Sequence, residues 1–99
     1  MKSETFELGF TCEELGTGGP YKFEGELTIV FELVLIDKDE GYIDTIYEEP
    51  HQRGPRYHFC VLEDGAIVFA KNLIDFRKPV ADKIRERVKE LLPKLVIEF

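Results

Sequence analysis

Residues 21–36 read YKFEGELTIVFELVLI, and the division of this stretch between two faces decides the fold. Phe23, Gly25, Leu27, Ile29, Phe31, Leu33 and Leu35 fall on one side of a period of two. Glu24, Glu26, Thr28, Val30, Glu32, Val34 and Ile36 fall on the other. A helix would scatter the apolar set around its axis, whereas a strand gathers it into one buried face. The second face is acidic early and apolar late, so the far end of the strand is expected to be covered on both sides. The stretch is longer than the usual five or six residues of a strand, and Gly25 marks an expected bend or bulge.

Working outward, DKDEG (37–41) reads as a turn and YIDTIYE (42–48) as the returning strand. Residues 37–48 mimic a calcium loop, with acids at the first, third and twelfth positions. The sixth position, where such a loop needs glycine, is Tyr42, and the fifth is Gly41 without a side-chain oxygen, so a hairpin turn explains them better. Upstream, TFELGFTC (5–12) alternates, placing Phe6, Leu8, Phe10 and Cys12 on one face. EELGTGGPY (13–21) reads as a loop. Its glycines are not followed by a helix pattern or a Lys-Ser/Thr pair, so it fails as a phosphate-binding loop.

Downstream, YHFCVL (57–62) and AIVFAK (66–71) flank an Asp-Gly turn, the signature of a β-hairpin. PVADKIRERVKELL (79–92) is the one convincing helix, with Pro79 at its start and Val80, Ile84, Val88, Leu91 and Leu92 in a single stripe. Pairs of opposite charge at i,i+3 (Asp82–Arg85, Lys83–Glu86, Glu86–Lys89, Arg87–Glu90) lace its wet side. Pro93 is expected to end it, leaving LVIEF (95–99) as a last strand. The expected architecture over residues 1–99 is a single α+β domain: an antiparallel sheet of about five to six strands with one C-terminal amphipathic helix packed on a face.

The chain of 99 residues carries 20 acids and 13 bases, a net charge of −7. Residues 1–50 hold thirteen acids and three bases (−10) and residues 51–99 seven acids and ten bases (+3), which sum to −7. That balance disfavours general nucleic-acid binding and suits a basic partner or a solvated sheet face. No leader pattern and no membrane-spanning run is visible, so the expected location is the cytoplasm. Cys12 and Cys60 are then expected as buried reduced thiols. One Asn and one Gln beside many charged residues is the pattern reported for hyperthermophilic proteins.

The candidate site lies in HQRGPRYH (51–58), where His51, Arg53, Arg56, Tyr57 and His58 gather cationic and stacking groups around a Gly-Pro turn. With the helix bases Arg85, Arg87 and Lys89 these would suit an anion or a nucleic acid. On a strand, His58 and Cys60 share a face about 7 Å apart, close enough for a shared zinc but without the spacing of a finger or ribbon. Same-strand neighbours rarely reach hydrogen-bond distance, so a Cys60–His58 nucleophile is disfavoured, and no serine elbow or HExxH is present. Neither a catalytic set nor a cofactor or metal is expected. The leading expectation is a non-catalytic domain, of a class that includes inhibitor-like proteins, that binds another protein or itself as a homodimer, its long strand offering an edge. Anion or nucleic-acid binding is the alternative, and a metal site or enzyme on His58 and Cys60 the third.

Overall fold

The computed structural model describes residues 2–46 and 53–97. Five strands follow one another in space as in sequence: β1 (Lys2–Phe10), β2 (Leu27–Asp37), β3 (Glu40–Ile46), β4 (Arg53–Val61) and β5 (Ile67–Phe69). Every neighbouring pair is antiparallel. Helix α1 (Cys12–Leu15) follows β1, and α2 (Lys78–Val96) closes the fold. This is the expected α+β meander with one long C-terminal helix.

Strand register places Phe6 beside Phe31, Leu33 beside Ile43, Ile43 beside Tyr57, and Phe59 beside Phe69. These form the inner face, with the rings of Phe6 and Phe31 stacked at 5.2 Å. The α2 stripe of Val80, Ile84, Val88, Leu91 and Leu92 is buried against that face, chiefly over β1 and β2. Each fully buried aliphatic or aromatic side chain contributes roughly 1.5–3 kcal/mol relative to exposure, which makes this seam the main source of stability. The hairpin turns follow their sequence chemistry. Asp37 Oδ1 accepts from the backbone N–H groups of Asp39 (2.8 Å) and Glu40 (3.0 Å), so the first acid of the calcium mimic serves the turn itself. Gly65 takes φ +87° between β4 and β5.

Several expectations need correction. Cys12 is buried as expected, but it opens α1 instead of closing a strand. Thr11 caps the helix reciprocally with Glu14, a Thr-x-x-Glu capping box within the segment read as strand and loop. The Cys12 sulfur lies 3.0 Å from both the N and the O of Phe23, tethering the returning chain. The long strand starts at Leu27, because Gly19–Tyr21 forms a 3-10 turn and Gly25 adopts φ +76°. At its far end Val34 is buried, as a doubly covered strand requires, but Ile36 stays 41% exposed.

Pro93 does not end α2, which runs on to Val96, so Leu95–Val96 is helix instead of strand. An interior proline costs about 3 kcal/mol. Burial of Leu95 and part of Val96 offsets a similar amount, since the apolar stripe continues past the proline. On the wet side, Arg85 pairs with Asp82 (3.4 Å) and Arg87 with Glu90 (3.5 Å), as the spacing implies. Lys83 leaves its own helix instead. Its Nζ lies 2.8 Å from Glu14 Oε2, donates to the Gly9 carbonyl at 2.8 Å, and sits 5.3 Å from the centre of the Phe10 ring.

Lys83 therefore fastens α1 and β1 to α2, and its hydrogen bond, followed by that from the Thr11 backbone, holds the Glu14 carboxyl below the usual glutamate range. A carboxyl lowered in the folded state adds stability above its unfolded value of about 4.3, and that stability is lost as pH falls through the lower folded value. Glu14→Gln keeps the capping geometry and removes the charge. Its thermal midpoint is expected below that of the parent at pH 7, with the gap narrowing progressively as pH falls below the unfolded value. A gap that stays constant across a pH series of melting curves would refute this account.

Between β5 and α2 the chain turns through Lys71, Asn72 and Leu73, all left-handed with φ of 56°, 51° and 53°. Each such residue costs roughly 1–2 kcal/mol. Leu73 is 1% exposed, and Arg85 Nη2 donates to the Asn72 carbonyl (2.8 Å) and to Asn72 Oδ1 (2.9 Å), which together hold the turn. The turn delivers Phe76 onto Tyr57, with ring centres 4.9 Å apart.

Candidate functional site

The stretch singled out in the sequence does not behave as one cluster. His51 and Gln52 lie outside the described residues. Arg53–Arg56 belong to β4 and not to a loop, with Arg53 opposite Ile46 and Arg56 opposite Asp44. Strand alternation then sends Arg56, His58 and Cys60 to the outer face and Tyr57 and Phe59 to the inner one. Cys60 is exposed, correcting the expectation of a buried thiol: α2 packs on the opposite face, the one that buries Phe59.

On the outer face, the Arg56 guanidinium grips Asp44 with two hydrogen bonds, Nε to Oδ1 at 2.8 Å and Nη2 to Oδ2 at 3.1 Å. Asp44 is only 2% exposed. A buried carboxylate requires such a partner, because an unpaired charge in a dry site is strongly destabilising. The same guanidinium lies 3.8 Å from the centre of the Tyr42 ring, and His58 meets that ring edge-on at 5.6 Å. Its hydrogen bond to Asp44 pushes the Arg56 pKa up. Arg56 is thus held by neighbours on its own sheet. His58 and Cys60 do share a face, but among the described residues no three of His, Cys, Asp and Glu converge to hold a metal ion.

Two of the three helix bases, Arg85 and Arg87, are similarly engaged. Arg85 holds Asn72 and Asp82; Arg87 holds Glu90 and reaches the Glu7 carbonyl at 3.4 Å. The Gly9 and Glu7 carbonyls that Lys83 and Arg87 occupy are two residues apart on β1, hence point the same way. β1 and β5 are the edges of the sheet. The long strand β2 is internal, so it cannot offer an edge for pairing, contrary to the sequence reading. β5 spans only three residues. Short edges and edges met by basic side chains both discourage added strands.

Tyr57 leads to a feature the sequence did not reveal. Where β2 begins, β3 ends and β4 begins, a groove of about 610 Å³ opens, lined by Leu27, Ile29, Thr45, Pro55, Tyr57 and Phe76 among others. Its volume falls within the range of ligand pockets, and its lining is mostly apolar with a few polar groups, the usual makeup of a binding site. Leu27 is 50% exposed on its rim. The lining residues come from five separate stretches of chain, β1 supplying Glu7, and only the left-handed turn at 71–73 brings Phe76 to Tyr57. The one signal present in sequence was a run of apolar residues on β2 longer than α2 can cover.

No helix of the described residues is long and apolar enough to cross a membrane. Comparison with known proteins found no matching family, curated protein or solved structure.

Proposed function

We propose that the chain is a non-catalytic binding domain that recognises another protein by seating an apolar side chain in the groove between Leu27, Tyr57 and Phe76. The observation that carries this reading is the groove itself: an apolar concavity of about 610 Å³ formed by the described residues beside a well-filled core. A half-exposed Leu27 beside aromatic Tyr57 and Phe76 offers the aromatic and aliphatic contacts that concentrate binding energy at interfaces. Strand addition at β1 is disfavoured, because Lys83 and Arg87 meet its Gly9 and Glu7 carbonyls. Arg56 and the helix bases Arg85 and Arg87 already hold partners within the chain, so nothing in their arrangement favours an anion or nucleic acid over a protein.

The test is an NMR titration with a short uncharged peptide bearing Leu and Phe between serines. Amide shifts are expected to concentrate at Leu27, Ile29, Tyr57 and Phe76. Shifts confined to other surfaces, or none up to millimolar peptide, would overturn the proposal.

A further inference from the structure

Lys71, Asn72 and Leu73 hold φ of 56°, 51° and 53° in succession, and none of them is glycine. In this left-handed region the β-carbon crowds the following carbonyl oxygen, most severely for a residue as bulky as leucine. Such a run persists only where the surrounding structure over-determines it. Two features do so here. The Leu73 side chain is set in the core. From α2, Arg85 Nη2 donates to the Asn72 carbonyl and to Asn72 Oδ1, while Arg85 Nη1 donates to Asp82 Oδ1 at 3.4 Å.

Two backbone hydrogen bonds close the segment. The Ile74 amide donates to the Lys71 carbonyl and the Phe76 amide to the Leu73 carbonyl, each at 3.0 Å. Phe76 then lies against Tyr57. Ile74 is 77% exposed, so its apolar side chain adds little to holding the segment down.

We infer that residues 71–76 form a latch, a strained segment that Arg85 holds shut and that opens as a unit without the rest of the fold. Opening returns 71–73 to right-handed or extended backbone, withdraws Leu73 and lifts Phe76 from Tyr57. Stored strain and few buried anchors put such a segment at the low-stability end of a structure. Through this one arginine, α2 controls Phe76, and whatever draws Arg85 from Asn72 dismantles the groove wall to which Phe76 belongs. The inference stands on the turn alone, so a groove that binds no peptide would leave it intact.

Native-state hydrogen exchange followed by NMR reads the latch at the Ile74 and Phe76 amides. In the parent both are expected to be protected, yet to exchange at least about tenfold faster than the slowest amides of β2. Arg85→Ala should speed both by about tenfold or more and move the β2 amides much less. It should also weaken the NOE between the Tyr57 and Phe76 rings, but not that between Phe6 and Phe31. Lys71 is exposed, so Lys71→Gly relieves strain without touching the core. It should slow both amides by about threefold, in the parent and in the Arg85→Ala background.

Unprotected exchange in the parent would show a turn that nothing holds shut. Exchange as slow as the β2 amides would show one that opens only with the whole chain. An equal effect of Arg85→Ala on β2 would remove Arg85 as the clasp, and an unchanged Tyr57–Phe76 NOE would detach Phe76 from the latch. Equal or faster exchange in Lys71→Gly would remove the strain. Each of these results overturns the inference.

Discussion

Phe10→Ala is expected to lose about 3–5 kcal/mol of stability, most of what a small domain commonly possesses. Phe10 is fully buried at the end of β1, and Lys83 of α2 lies 5.3 Å from its ring centre. Alanine would leave a cavity where β1, α1 and α2 meet, beneath the lysine that fastens all three. The surrounding backbone is held by the β1–β2 ladder, so the space cannot simply collapse. Urea unfolding should show a much lower midpoint, and Phe10→Leu should recover most of the loss. A change below about 1 kcal/mol for Phe10→Ala would mean that this junction does not carry the core.

Gly41→Val should be comparably damaging, for the opposite reason. Gly41 lies on β3 with Leu35 on one side and Phe59 on the other. A β-carbon there would overlap the Val34 carbonyl oxygen and come within 3.0 Å of Phe59 Cζ and 3.2 Å of the Leu35 Cα. Two of these are backbone atoms, which can move only by opening the β2–β3 hairpin. Overpacking commonly costs 1–3 kcal/mol, and a clash with fixed backbone is expected to reach about 3 or more. Hydrogen exchange at the Val34 and Tyr42 amides should speed up beyond the change at α2. A valine variant as stable as its parent would show that the hairpin has slack at this point.

Much of this architecture is legible in the residues. The two-residue period of 27–35 marks the inner face of β2, and the spacing of Val80, Ile84, Val88 and Leu91 marks the face of α2 that meets it. Alternation was less informative for β4. It shows that His58 and Cys60 share one face and Tyr57 and Phe59 the other, but not which face receives the helix. That depends on where α2 docks, so Cys60 was expected inside and lies outside. Pro93 misled because a local penalty was weighed without the tertiary burial that offsets it. The Thr11–Glu14 capping box is legible in the residues, and it outweighs the two-residue alternation that would carry the strand to Cys12. The groove had no local signature, being assembled from β1, β2, β3, β4 and Phe76 by the chain reversal at 71–73.

The order of the elements also bears on how the chain is made. Each strand pairs with the one synthesised before it, but the inner face of the sheet stays uncovered until α2, which follows all five strands, can pack on β1. At synthesis rates of roughly 5–20 residues per second, the 19 residues of α2 take about 1–4 s to add. Until α2 has left the ribosomal tunnel, a nascent sheet presents Phe6, Leu8, Phe10, Phe31, Leu33 and Leu35 to whatever is nearby. Helix α2 thus acts as a holdase for the sheet that precedes it, and a ribosome stalled before residue 78 would release a product poised to aggregate.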